Sequence, residues 1–246
     1  MLSIFKKSLP KRVDFSPLVA DMHSHLLPGI DDGAPDVQTS DVLIKGLTDL
    51  GFSKLITTPH IMADIYPNDY SVIEKTYQHL RSSTELPTVG FPVAPAAEYL
   101  LDDGFDELIK EQQPLLPIKD NLVLVEFSFA APPNDYKEKI FQMQLSGYHP
   151  VIAHPERYLY WYGNKRIMDE FKTIGCLLAV NILSFTGYYG KASLDLANIL
   201  LKKNYVDFLG TDLHHIRHLE ALQHSQQVMP VISQLLDKGN LMNPRL

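Results

Sequence analysis

Seven short apolar segments, each followed by a helix-patterned stretch and most ending beside a histidine or carboxylate, constrain this chain more than any other feature. The segments run Leu18–Met22, Lys54–Thr58, Thr88–Ala94, Leu122–Phe127, Pro150–His154, Cys176–Asn181 and Val206–Gly210. They are short, nearly continuous apolar runs with β-branched and aromatic residues, as expected of strands covered on both faces. Helical patterns fall at Val37–Leu50, Asp69–Ser83, Phe105–Glu111, Tyr136–Ser146, Lys165–Thr173 and Lys191–Lys203, with a long amphipathic stretch over Leu219–Leu236. Alternation of this kind fits a closed β/α barrel or an open doubly wound sheet.

The placement of polar residues favours closure. His23 and His25 follow the first strand, His60 the second and Glu98 the third. Glu126 ends the fourth and His154 the fifth, while Asp212 and His214 follow the seventh. A barrel gathers such strand ends around one rim, whereas an open sheet spreads them along an edge. The chain is expected to form one domain over 18–246 behind an N-terminal extension, 1–17.

Composition removes several classes. A 45% hydrophobic fraction supports a core, and a net charge of −7 argues against a nucleic-acid surface. The single cysteine, Cys176, sits in an apolar run, so an internal disulfide framework is excluded and the residue reads as a small buried hydrophobe. No Cys-x5-Arg loop is present, which excludes a cysteine phosphatase mechanism. The N-terminus lacks the apolar core of a signal peptide and no run is long enough to span a bilayer, so a cytoplasmic location is expected. Leu2, Ile4 and Phe5 could still contact a partner or membrane surface.

The chemistry-bearing residues have the pattern of a metal centre. In Asp21-Met22-His23-Ser24-His25, period two puts the carboxylate and both imidazoles on one side, with Asp21 placed to hold a ring N–H. Solvent-facing or core histidines are the plain alternative. Asp31-Asp32-Gly33 could be only a turn, but its position at the rim makes Asp32 a ligand candidate. Glu126 ends an apolar run where an unpaired carboxylate needs a cation, a proton or donors. His60, His154 and the Asp212–His214 pair repeat the device of a ligand delivered at a strand end. With Glu98 the inventory is nine residues, His23, His25, Asp32, His60, Glu98, Glu126, His154, Asp212 and His214, more than one tetrahedral ion uses. Two or three divalent ions explain it better, and nitrogen and oxygen ligands without thiolate admit manganese, iron, zinc or magnesium.

These motifs, with Gly29-Ile30-Asp31-Asp32-Gly33, Thr58-Pro59-His60, Ala97-Glu98, Val125-Glu126-Phe127, Ala153-His154-Pro155-Glu156-Arg157-Tyr158 and Thr211-Asp212-Leu213-His214, resemble the polymerase-and-histidinol-phosphatase superfamily. The resemblance is to its bacterial protein-tyrosine phosphatases associated with capsule and exopolysaccharide synthesis. It implies a distorted seven-stranded, TIM-like β/α barrel and a trinuclear site, manganese first among the metals. One ion would take His23, His25, Glu126 and Asp212; Glu126 would bridge to a second with His60 and His154; Asp32, Glu98 and His214 would complete a third. Leu213 and His215 depart from the small residue and Asn common around the last histidine.

The resemblance further implies hydrolysis of phosphotyrosine on the tail of a membrane-linked bacterial tyrosine kinase, with no nucleic-acid partner and with room for a homo-oligomer. His60, His154 and Asp212 would serve catalysis together with Arg157. The planar fork of Arg157 suits two phosphate oxygens, although it could instead pair with Glu156 or cap a helix. Arg217 is a lesser candidate. Tyr66, Phe129, Tyr158, Tyr160 and Trp161 could wall a ring pocket or be ordinary packing. Histidinol phosphate is the alternative small substrate. A metal-stabilised binding module and a DNA-repair-type nuclease are alternatives of other classes.

Overall fold

The computed structural model describes residues 12–86, 90–164 and 166–246. Among the described residues, nine parallel strand segments build two sheets: β1 (Ala20–Asp21), β2 (Lys54–Thr57), β3 (His60–Ile61), β4 (Val93–Pro95), β5 (Glu98–Leu100), β6 (Leu122–Glu126), β7 (His149–Ala153), β8 (Leu177–Asn181) and β9 (Phe208–Gly210). Two of the seven expected strands are broken. Pro59 divides the second into β2 and β3, and the third is interrupted at Ala96-Ala97 between β4 and β5. Both breaks fall at matching heights, so β2 pairs with β4 and β3 with β5.

Pairing runs β1-β2-β4 in one sheet and β3-β5-β6-β7-β8-β9 in the other. The chain beyond β9 then returns to the chain beyond β1. Ser24 bridges Leu213 in parallel, and the Asp212 N–H donates to His23 O at 2.8 Å. Asn243 spans the same seam by donating to Ala20 O (3.0 Å) and Leu209 O (2.7 Å). The result is the distorted seven-stranded barrel that the alternation and the resemblance imply.

Among the described residues, eight α-helices accompany the strands: α1 (Val37–Asp49), α2 (Tyr70–Ser83), α3 (Asp103–Lys110), α4 (Tyr136–Leu145), α5 (Arg166–Thr173), α6 (Lys191–Lys203), α7 (Ile216–Gln223) and α8 (Met229–Asp237). Asp36, Asp69 and Asp102 start α1, α2 and α3 by accepting the N–H three residues on. None of the described helices is long and apolar enough to cross a membrane.

Alternation along the strands sorts side chains into two cores. Met22, Ile56, Leu124, Val151, Ala153, Ala179 and Phe208 fill the barrel interior, while Val123, Val125, Ile152, Leu178, Val180 and Leu209 pack outward against the helices. Glu126 therefore belongs to the interior face of β6, one step above Leu124. Gly210 is required where β9 passes β1, since a Cβ there would lie 2.8 Å from His23 Cβ.

Three boundaries differ from the sequence reading. The third strand, expected over Thr88–Ala94, begins its described part at Val93 and resumes after the break to include Glu98; Thr88 and Val89 fall outside the described residues. The expected single stretch Leu219–Leu236 is two helices, because Pro230 cannot donate inside a helix and sits instead in the first turn of α8. Val13 and Phe15, assigned to the extension, are buried in the core, with the Phe15 N–H bonded to Leu50 O. Lys165 and the Leu2, Ile4 and Phe5 surface lie outside the described residues.

Candidate metal centre

Strand register delivers the site. His60 of β3 is the direct partner of Glu98 of β5, and Glu126 is paired one position along from Tyr99, opposite Leu100. His154 and Asp212 leave β7 and β9 with positive φ, 32° and 50°, a conformation that costs energy for a residue with a Cβ and turns each side chain toward the rim.

All nine candidates meet there. Donor atoms lie mutually within 4.8 Å in four overlapping sets: His25, Asp32, His60 and His214; His23, His25 and Asp212; His23, Glu98 and His154; and His60, Glu98 and Glu126. Glu98 is the central carboxylate. Its Oε2 lies 3.0 Å from His23 Nε2, 3.4 Å from His25 Nε2 and 3.2 Å from His60 Nδ1, and its Oε1 lies 3.2 Å from His154 Nε2. Glu126 is more peripheral, 3.4 Å from His60 Nδ1 and 3.9 Å from His154 Nε2. The grouping thus differs from the one the resemblance implied, with Glu98 rather than Glu126 touching most imidazoles. The reason is that Glu98 points into the barrel from β5 between β3 and β6. Half-exposed Asp32 reaches in from its turn to His60 Nε2 (3.3 Å) and His214 Nε2 (3.5 Å).

Two observations fit this donor set to cations. Glu98 Oε1, Glu126 Oε1, His60 Nδ1 and His154 Nδ1 are buried without a hydrogen-bond partner, although several approach one another closely. Buried polar atoms left this way are rare unless something else satisfies them. The two glutamates are also driven apart electrostatically. Burial and the neighbouring Glu98 push the Glu126 carboxyl well above its ordinary range. Burial also opposes ionisation of Glu98, but His23, His154 and His25 hold it well below. A divalent ion between them would relieve that repulsion.

Supporting residues are clear in the structure and only partly in the sequence. Asp31, not Asp21, holds an imidazole: its Oδ2 lies 2.8 Å from His25 Nδ1 and accepts the His60 N–H at 3.1 Å. Its Oδ1 accepts the Gly33 N–H at 2.9 Å. Asp21 is committed elsewhere, accepting the Thr211 N–H (2.9 Å) and Oγ1–H (2.7 Å) across the barrel seam. Asn181, at the end of the one strand without a ligand candidate, donates to Asp212 Oδ2 at 3.3 Å. Position alone could have singled it out, since every other strand end contributes.

Beside the cluster lies a cavity of about 320 Å³. Its polar lining is Asp32, His60, Glu126, His154, Arg157, Asp212 and His214, interleaved with the apolar Met62, Ile65, Tyr66, Leu100, Phe127 and Phe129. Arg157 donates to Asp212 rather than pairing with Glu156, so that alternative is overturned. Of the aromatic candidates, Tyr66 and Phe129 face the cavity. Tyr158 and Trp161 are core residues packed on Phe127, and Tyr160 donates to Ser128 O at 3.1 Å. Arg217 is exposed and outside the cavity lining.

A parallel barrel whose rim holds this many convergent imidazoles and carboxylates defines a metal-dependent barrel enzyme. Within that class the chain belongs to the capsular polysaccharide synthesis, CpsB/CapC, family, whose model matches residues 19–229. It is 27% identical over 213 residues to the tyrosine-protein phosphatase YwqE of Bacillus subtilis, covering 86% of this chain and 83% of that one. The tyrosine-protein phosphatase CpsB of Streptococcus agalactiae is 25% identical over 202 residues, covering 80% and 83%. A chain from the crystal structures of Bacillus subtilis YwqE and Streptococcus pneumoniae CpsB, described as unique metal-dependent tyrosine phosphatases, superposes with a TM-score of 0.75 at 25% identity. That superposition covers 91% of this chain and 94% of the other.

Proposed function

We propose that this chain is a metal-dependent protein-tyrosine phosphatase, a single domain over 18–246 whose core is completed by Val13 and Phe15. The observation that carries the reading is the convergence of the nine candidate ligands beside a cavity with a partly apolar, aromatic lining. His23, His25, Asp32, His60, Glu98, Glu126, His154, Asp212 and His214 would hold two or three divalent ions, manganese first, with iron, zinc or magnesium as alternatives. Such ions, when bound, neutralise phosphoryl charge and activate water for attack.

The chain's own residues supply orientation. Arg157 keeps one arm on Asp212 and lines the cavity, where its remaining N–H groups suit phosphoryl oxygens. Asp31 fixes the His25 ring, and His60, His154 and Asp212 border both the ligand cluster and the cavity. Met62, Ile65, Tyr66 and Phe129 offer apolar surface to an aryl leaving group and exclude water from it.

The partner that fits is the phosphotyrosine-bearing tail of a membrane-linked bacterial kinase of polysaccharide export, met in the cytoplasm. A homo-oligomer is compatible with this reading, and no nucleic acid is required. Turnover of a phosphotyrosine peptide, a phosphoserine peptide and histidinol phosphate by the manganese-loaded protein tests it. Preference for the first is expected, and strong preference for histidinol phosphate would overturn the assignment.

A further inference from the structure

Arg157 is held by three side chains, and one of them, Tyr189, belongs to the loop after β8, which carries no ligand candidate. Its guanidinium carbon lies over two rings, 4.2 Å from the Tyr189 centroid and 4.9 Å from the Phe129 centroid. Its Nη1 is tied to Asp212 Oδ2. Asn181 Nδ2 reaches that same oxygen at 3.3 Å and donates to the Tyr189 hydroxyl at 3.2 Å. Tyr189 therefore touches both the arginine and the amide that shares the arginine's carboxylate.

The loop itself is fastened to the arginine's own loop. Fully buried Glu156, the residue before Arg157, accepts the Asn181 N–H at 2.9 Å and the Ser184 Oγ–H at 2.6 Å. Asn181 in turn caps the short 3-10 turn Ile182–Thr186 by accepting the Leu183 N–H at 2.8 Å. Gly187 closes that turn with φ +83°, and Gly190 with φ +90° starts α6, so Tyr189 is delivered between two glycines over the guanidinium.

We propose that Tyr189 is a positioning residue for phosphate recognition: its ring face, together with that of Phe129, holds the Arg157 fork at the cavity. Glu156, through the Asn181 N–H and the Ser184 hydroxyl, fastens the loop that carries Tyr189. An arginine keeps many rotamers open in water, and contact with two aromatic rings removes most of them before the anion arrives. The contact needs a π face and not the hydroxyl, which separates this role from ordinary packing.

The proposal rests on Arg157 binding phosphate, and its test separates the two. Wild type, Tyr189→Phe, Tyr189→Leu, Arg157→Ala and the Arg157→Ala/Tyr189→Leu double variant are loaded with manganese and checked for metal content. Inorganic phosphate affinity is measured by calorimetry and turnover with p-nitrophenyl phosphate. Tyr189→Phe should stay within about twofold of wild type, and Tyr189→Leu should lose about tenfold in phosphate affinity and kcat/KM, the range of a desolvated cation–π contact. The double variant should be no worse than Arg157→Ala, because Tyr189 then has nothing to hold. If the leucine variant does not fold, Tyr189→Met enters the same cycle. A leucine or methionine variant within twofold of wild type, or an undiminished loss in the Arg157→Ala background, overturns the proposal. Absence of phosphatase activity in wild type would overturn the functional reading instead, while the phosphate-binding cycle would still decide the role of Tyr189.

Discussion

Asp31 Oδ2 lies 2.8 Å from His25 Nδ1, inside a turn whose other carboxylate, Asp32, points to the neighbouring imidazoles of His60 and His214. Two adjacent aspartates thus have opposite tasks. One faces inward and fixes a ring; the other reaches over the rim. The pairing leaves His25 Nε2 facing His23, Glu98 and Asp212, and a carboxylate behind a ligating imidazole fixes its tautomer and ring orientation. Asp31→Asn should weaken metal binding roughly 10–100-fold and lower turnover in step, the usual cost of removing such a partner. Metal content after dialysis against graded chelator, measured beside activity, checks this. Full retention of metal would show that Asp31 serves only the turn.

Glu98 and Glu126 compete for the same donors, and without a cation one of them is better neutral. Glu126→Gln imitates that neutral state. The chelated variant should therefore be as thermally stable as the chelated wild type or more so. Addition of manganese should raise Tm markedly for wild type and much less for the variant. Phosphatase activity should fall in the variant and, for wild type, vanish on chelation and return with metal. Differential scanning calorimetry with and without chelator is the measurement, and equal metal-induced shifts in both proteins would remove Glu126 from the ligand set.

Most of the architecture was legible because burial leaves a strong trace. Strands such as Leu122–Glu126 are apolar on both faces, and a single carboxylate at the end of that run stands out. What the sequence hid depends on backbone direction. The break at Ala96-Ala97 lets Glu98 re-enter as strand, and this follows from pairing with β3, a long-range contact that no local pattern encodes. The swapped tasks of Asp21 and Asp31 have the same origin. Alternation predicts which side a residue takes, but the closing seam brings Thr211 to Asp21 before any imidazole can reach it. Tyr189 was invisible because tyrosine in a loop has no spacing to announce it.

Cys176 offers a pH test away from the site. Its side chain is buried, and burial pushes the thiol up to about 12 from an ordinary value of 9.0, with Lys172 pulling weakly the other way. The folded state thus favours the neutral thiol. The resulting stability is fully present below pH 9.0 and is lost as pH rises from there toward 12. The Tm difference between wild type and Cys176→Ala should therefore shrink as pH is raised above about 9. At pH 8 an aromatic disulfide reagent should label native protein far more slowly than denatured protein. Rapid labelling of the native chain would contradict the burial.

The last prediction concerns Arg157, which shares Asp212 with the ligand cluster. Asp212 divides its oxygens: Oδ1 lies 3.3 Å from His214 Nδ1 and 3.4 Å from His23 Nε2, while Oδ2 takes Arg157 and Asn181. Removing the guanidinium leaves Oδ1 and its imidazole contacts in place, so metal loading should survive. Phosphate handling should not. Loss of one preorganised donor to a developing phosphoryl charge costs about 10²-fold in turnover, so Arg157→Ala should fall by that order in kcat and kcat/KM. Arg157→Lys keeps the charge but neither the fork nor the planar group that contacts the Phe129 and Tyr189 rings, so it should recover only part of the loss. Steady-state kinetics on both variants, with metal stoichiometry determined for each, separates the two effects. A fully metallated alanine variant with unchanged kinetics would leave Arg157 as no more than a partner for Asp212.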